Sequence, residues 1–266
     1  MASSGIPTLD ALTGGFPRGC LTEICGPASS GRTSVMITVI AAATRRGEYC
    51  AVIDASDSLD PNSVAASGVD LDRLLWVRCN ENSPQKHRGT EKVRNQKNGY
   101  PLSVGPFTGG FEQAGFNFDK KKSRSSELRL EQVLRTTDLL LESGGFGLIV
   151  LDLAGLPWEA ARRIPLTTWF RFRRAIENKP TILLATGRQP IAGSCSSLLL
   201  QLGVPGSQSP VLNSNQFSEE SAAWDWQPSH AHLFTELKIH AEMIRSRLNR
   251  KPARSVAFET KTAWTG

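Results

Sequence analysis

Apolar residues in this chain fall into short runs that alternate with stretches of helical period. "LTEIC" (21–25), "CAVIDAS" (50–56), "LLWVRC" (74–79), "FGLIVLDLAG", "PTILLATG" (180–187) and "SLLLQL" (197–202) are such runs. Near-continuous apolar runs of this length predict strands covered on both faces, as in a parallel sheet. Between them, 33–44 is an apolar helix closed by Arg45, Arg46 and the stop signal Gly47. Residues 61–67 predict a short helix ended by Gly68, and 127–143 carry leucines at helical spacing. "TTWFRFRRAIEN" (167–178) reads as an amphipathic helix with an arginine face. Two antiparallel strands are expected at 233–245 and 254–260. Strands alternating with helices imply a mostly parallel sheet with right-handed crossovers.

Two stretches break this pattern. Residues 80–126 are rich in Asn, Gly, Lys, Ser and Gln, with scattered aromatics and no period, and residues 203–231 read as loop. The first stretch cannot bury enough apolar surface to fold alone and is expected to be a disordered basic insertion. The chain as a whole, 266 residues, is expected to form one domain around it.

Charge sharpens that division. The net charge is +6, and 80–126 holds nine Lys/Arg (86, 88, 92, 94, 97, 120, 121, 122, 124) against four acids (81, 91, 112, 119). Nearly all of the excess therefore lies in the insertion. Lys86, Arg88, Lys92, Arg94, Lys120, Lys121, Lys122 and Arg124 interleave with Tyr100, Phe107, Phe111, Phe116 and Phe118. Either they contact single-stranded nucleic acid, DNA being the expected one, by charge and stacking, or they form a solvated loop. No apolar run reaches the roughly 18 residues of a membrane span. The start, "MASSGIPTLD", lacks the basic and apolar regions of a signal peptide. Five cysteines without a C-x-x-C pair argue for free thiols, so a cytoplasmic location is expected.

The chemistry concentrates in "GPASSGRTS": Gly26, Pro27, Ala28, Ser29, Ser30, Gly31, Arg32, Thr33, Ser34. A glycine loop between strand and helix gathers backbone N–H groups around an anion, and the helix dipole adds to the attraction. The phosphate-loop pattern G-x-x-x-x-G-K-[ST] wants lysine where Arg32 stands. Arginine keeps the charge but is longer, planar and forked. Thr33 is positioned to hold Mg²⁺, and Asp152, ending the apolar strand "GLIVLD", is the second expected magnesium residue.

These residues carry a resemblance. "GIPTLDALTGGFPRGCLTEICGPASSGRTS", "CAVIDASDSLDP", "ASGVDLDRLL" and "GLIVLDLAGL" strongly resemble the core of the bacterial recombinase RecA, in the same order. The resemblance covers about residues 5–79 and 127–202. It implies a doubly wound, mostly parallel α/β fold with helices on both faces and antiparallel C-terminal strands. It also implies ATP or ADP with magnesium, Asp60 as part of the nucleotide site, and a bacterial, nucleoid-associated location. Arg245 and Arg247 in "IRSRL" resemble the family's basic pair that reaches a neighbour's nucleotide; the alternative is two solvated arginines on an edge strand.

The departures from the family bear on function. The family's water-activating glutamate is Ser56 here, and its adenine-stacking tyrosine is Ser63. Its γ-phosphate-sensing Asn–Gln pair is Thr186 and Gly187, and its loop glutamate is Ala28. A serine hydroxyl is a poor general base. The segments after Asp152 and after 187 are too short to match the family's DNA-lining loops, and no filament-building N-terminal helix is expected. Such a small, degenerate RecA-like chain looks like the ImuA group, accessory proteins of damage-induced mutagenesis related to the SulA division inhibitors. That resemblance implies an SOS-response role in translesion synthesis beside a Y-family polymerase-like protein and a replicative-type polymerase. The expectation is a weak or conditional nucleotide binder without appreciable hydrolysis. A DNA-dependent ATPase or recombination mediator, and a non-enzymatic division regulator, stand as alternatives.

Overall fold

The structure, a computed structural model, describes residues 1–79, 116–203, 236–247 and 254–261; side chains are described over 1–79, 126–203, 238–247 and 255–259. The elements are α1 (Pro7–Thr13), β1 (Leu21–Cys25), α2 (Arg32–Arg45), β2 (Tyr49–Asp54), α3 (Pro61–Ala66), β3 (Leu74–Arg78), α4 (Phe116–Ser143), β4 (Phe146–Asp152), α5 (Trp158–Ala161), α6 (Leu166–Ile176), β5 (Ile182–Gly187), β6 (Leu198–Gly203), β7 (Glu236–Ser246) and β8 (Arg254–Lys261). They build an eight-stranded sheet in the order β3-β2-β4-β5-β1-β6-β7-β8. The first six strands run parallel, and β7 and β8 close the sheet antiparallel.

Alternation along each strand divides the core in two. Ile24, Cys50, Val52, Leu148, Val150, Leu184 and Leu200 face α1 and α2, where Val35, Met36, Val39 and Ile40 meet them. Leu21, Ala51, Ile53, Ile149, Leu151 and Leu183 face the other layer, where α4 and α6 contribute Val133, Trp169, Phe172 and Ile176. Covering both faces explains why the strands read as unbroken apolar runs rather than as alternating ones.

The register brings the chemistry to one edge. Cys25 pairs with Gly187, Asp54 with Asp152, and Asp152 with Thr186. All four strands are parallel, so their carboxyl ends lie side by side. There β1 feeds α2 and then β2, three strands away, while β5 crosses to β6 on the other side of β1. In open α/β sheets ligands bind outside the strands' carboxyl ends, where such connections diverge.

Several boundaries differ from the sequence expectation. The helix expected at 127–143 begins at Phe116, so 116–126, with Lys120, Lys121, Lys122 and Arg124, lies on α4 and not in a disordered insertion. No Gly or Pro interrupts 116–143, and a helix nucleated by its leucine-rich half extends through polar residues at little cost. The strand expected at 50–56 ends at Asp54, leaving Ser56 in a loop. Two short helices, α1 and α5, were not expected from the pattern; at seven and four residues they are too short to display a period. Residues 80–115, with Lys86, Arg88, Lys92 and Arg94, and residues 204–235 lie outside the described residues. Among the described residues the five cysteines are free thiols, four of them buried, and no helix is long and apolar enough to cross a membrane.

Candidate nucleotide-binding site

The loop 26–31 joins β1 to the amino end of α2. Two of its residues adopt left-handed backbone, Ser29 at φ 59 and Gly31 at φ 84. Glycine takes that conformation freely, but for serine it is strained. Residues held in such conformations gather at ligand clamps, and alternating backbone handedness makes a nest of N–H groups. The N-cap of α2, Gly31, has no side chain to satisfy the first N–H groups of the helix. A bound anion would supply what a capping side chain normally does.

Two side-chain atoms here have the same need. Among the described residues, the Ser30 hydroxyl is buried without a hydrogen-bond partner, and so is Arg32 Nη1. Thr33 is exposed beside them, and Pro27, Ala28 and Ser29 form the exposed rim. Burial pushes the Arg32 guanidinium below its ordinary range; Asp152 opposes that shift and Arg188 adds to it.

Asp152, at the end of β4, is buried. Its Oδ1 accepts from Thr186 Oγ1 at 2.8 Å and from the Ala154 N–H at 3.1 Å. Burial raises its pKa, while these two bonds and the Arg32 charge counter the rise. Thr186, where the resemblance put half of a phosphate sensor, is thus tied to the carboxylate beside it. Gly187 accepts from the Gly26 N–H at 3.3 Å, which docks the start of the loop against the end of β5.

The loop after β2 is closed on itself. Asp54 Oδ1 accepts from the Ser56 N–H at 3.0 Å and the Ser56 hydroxyl at 3.2 Å, and Oδ2 accepts from the Leu59 N–H at 2.8 Å. Ser56 also shares a 2.8 Å hydrogen bond with Ser58. Asp57 is clasped by the Arg78 guanidinium through both carboxylate oxygens. Asp60 caps α3, accepting from the Asn62 and Ser63 N–H groups and the Ser63 hydroxyl at 2.6 Å. These bonds hold its carboxyl below the usual range, and they account for Asp60 without a nucleotide. Among the described residues no group of three or more His, Cys, Asp or Glu could hold a metal ion by itself. Thr33 and Asp152 would therefore need phosphate oxygens and water to complete magnesium's shell.

Arg245 and Arg247 find partners within the chain. Arg245 donates to the Gly193 carbonyl and to Ser196 Oγ, the latter at 3.0 Å, and Arg247 donates to the Ser194 carbonyl. Both tie β7 to the β5–β6 connection. Sequence reasoning missed the residue anchoring that connection from below. Glu23, in the middle of β1, is 1% exposed, and its Oε1 accepts from the Ile191 and Ala192 N–H groups. A charged residue inside the apolar run "LTEIC" was the available signal, since buried carboxylates are rare without dedicated partners.

Burial raises the Glu23 pKa above 4.5, and the Ile191 and Ala192 bonds, Arg245 and Ser196 only partly offset it. A raised folded-state value means the folded chain holds this proton more tightly than the unfolded one. The contribution of Glu23 to stability is then full below about pH 4.5 and lost as pH rises through the folded value. Glu23→Gln keeps an acceptor for both N–H groups and cannot ionise. In denaturation curves across pH 4–8, the wild-type advantage over Glu23→Gln is expected to shrink with rising pH. Parallel curves would mean that Glu23 does not titrate in that window.

The comparisons with known proteins agree with this geometry in the region that builds the loop. The RecA N-terminal domain family matches residues 1–87. Protein RecA of Nostoc punctiforme is 51% identical over 74 residues, 27% of this chain and 21% of that protein. Protein RecA of a Picosynechococcus species is 52% identical over 73 residues, again 27% of this chain and 21% of that protein. The aligned segment thus spans about a fifth of the length of these curated relatives. The mostly parallel sheet with antiparallel C-terminal strands is consistent with the same α/β fold. The first third of this chain, which carries the phosphate-type loop between β1 and α2, is RecA-like in sequence.

Proposed function

We propose that this chain binds a magnesium nucleotide at 26–34 with little or no hydrolysis, and serves DNA damage tolerance as an accessory protein in the cytoplasm. The observation that carries the reading is a contrast within one sheet edge. The anion-binding half is intact: a strained nest, an uncapped helix end, and the orphaned Ser30 hydroxyl and Arg32 Nη1. The water-activating half is closed off: Ser56 is bonded to Asp54 and Ser58, and Asp57 to Arg78. RecA relatives align over the segment that supplies the loop, which supports ATP or ADP as the ligand. Thr33 and Asp152 would hold the magnesium, and a bound nucleotide would supply the phosphates that the loop lacks partners for.

The finer assignment, an ImuA-like role in translesion synthesis beside a Y-family polymerase-like protein and a replicative-type polymerase, rests on the sequence resemblance. DNA contact by 80–126 belongs to the same proposal. Copurification from damaged cells would test the partners.

The nucleotide reading is tested by calorimetry with Mg-ATP and Mg-ADP. Thr33→Ala is expected to weaken binding about tenfold, the equivalent of about 1.4 kcal/mol. Arg32→Lys replaces a planar fork with a compact, flexible point charge, so it should tighten binding several-fold. Turnover should stay near background in both variants, with or without single-stranded DNA. A general base contributes roughly 10²–10⁴-fold, and Arg32→Lys supplies none. Brisk DNA-stimulated hydrolysis abolished by Asp152→Asn would instead favour the DNA-dependent ATPase alternative.

A further inference from the structure

Resting on the nucleotide reading above, we propose that Arg188 is the residue that recognises the terminal phosphate of a nucleoside triphosphate at this site. Neither the glycine-loop motif nor the sensor positions Thr186 and Gly187 include it.

The placement comes from three contacts. Arg188 follows Gly187, whose carbonyl accepts the Gly26 N–H at 3.3 Å, so it leaves β5 directly beside the loop. Its Nε reaches the Ala154 carbonyl at 3.4 Å, a long contact to the turn after Asp152. The Ala154 N–H, in that same turn, donates to Asp152 Oδ1. Arg188 therefore sits on the Asp152 side of the site. A magnesium ion held by Thr33 and Asp152 would neutralise phosphate charge there, and Arg188 would add a cation beside it, at the β5 end where the terminal phosphate is expected to be sensed.

The charge balance points the same way. Arg188 and Arg32 are close enough for one cation to disfavour the other. Asp152 is the acid acting on Arg32, and its Oδ1 already accepts two hydrogen bonds. Arg188 is exposed, and its one described bond is the long contact to Ala154. A pair of like charges held together across an anion-binding loop is relieved by a polyanion. Guanidinium groups suit phosphate because their fork matches two oxygens at once. With Thr186 spent on Asp152 and Gly187 lacking a side chain, Arg188, the first residue past β5, offers a cation with donors there.

The discriminating experiment titrates the full chain with Mg-ATP, Mg-ADP and AMP by calorimetry, for wild type, Arg188→Ala and Arg188→Lys. Wild type is expected to prefer ATP over ADP. Arg188→Ala should lower ATP affinity about tenfold, leave ADP affinity within about twofold, and melt at the wild-type temperature. Arg188→Lys should recover part of the preference. If wild type binds nucleotide and Arg188→Ala keeps the ATP-to-ADP ratio, the Arg188 assignment is overturned and the loop reading stands. An equal loss for ATP and ADP would make Arg188 a general anion contact and overturn its terminal-phosphate role. Failure of wild type to bind any of the three would overturn the nucleotide reading, and this proposal with it.

Discussion

Phe172→Ala is expected to lower the unfolding free energy by about 3–5 kcal/mol, the usual cost of truncating a buried aromatic. Phe172 is fully buried on α6, with its ring meeting Trp169 edge-on at 6.0 Å between centroids and 90° between planes. Both rings belong to the layer that covers β4 and β5, the strands that end in Asp152 and Gly187. The cavity would open in a parallel sheet packed on both faces, which collapses poorly around a void. Trp169→Phe makes a contrasting case. The Trp169 indole N–H is buried without a partner among the described residues. Replacing it loses some packed area but also removes an unsatisfied donor costing about 1–3 kcal/mol. That variant should be near neutral. Urea denaturation at an unchanged m-value reads both. A loss under about 1 kcal/mol for Phe172→Ala would mean that this layer is loosely packed.

The centre of the parallel sheet was legible because its strands are buried on both faces and therefore mostly apolar. β4 and β5 need no subtler signal. The phosphate-type loop was legible for a different reason: its glycines are demanded by backbone geometry, which local sequence encodes. What local sequence could not encode is which side chains would find one another across the sheet. Asp57 beside Ser56 reads as a spare carboxylate until Arg78, from the neighbouring strand, clasps it. Arg245 reads as a cation free to reach another subunit, yet its bonds run to Gly193 and Ser196 in the same chain. Glu23 sat in plain view in β1, and its partners at 191 and 192 are some 170 residues away. The start of α4 was missed through composition, since a polar run reads as disorder when judged apart from the helix it prolongs. Thr186 was legible as a departure from the family pattern; its bond to Asp152 was not.

Gly26→Ala should lower nucleotide affinity at least about a hundredfold, the equivalent of about 2.7 kcal/mol, while the chain stays folded. The reason is space. A Cβ at Gly26 would come within 2.4 Å of the Leu202 carbonyl oxygen and 2.6 Å of the Ser30 hydroxyl. The first obstacle is backbone of β6, which pairs with both β1 and β7 and has nowhere to go. The second is the orphaned hydroxyl on which the anion site draws. The loop must therefore lift, stretching the Gly26 N–H bond to Gly187 and tilting the N–H nest away from the end of α2. Overpacking of this kind costs about 1–3 kcal/mol of stability, which the rest of the sheet can absorb. Gly203→Ala is the matched control. It ends β6, one residue past Leu202, and an added Cβ there meets nothing within 4 Å. Its affinity and melting temperature should stay at wild-type values. Calorimetry on the two variants, each first checked by a cooperative thermal melt, decides the matter. If Gly26→Ala binds Mg-ATP as wild type does, the nucleotide does not sit in the 26–34 loop.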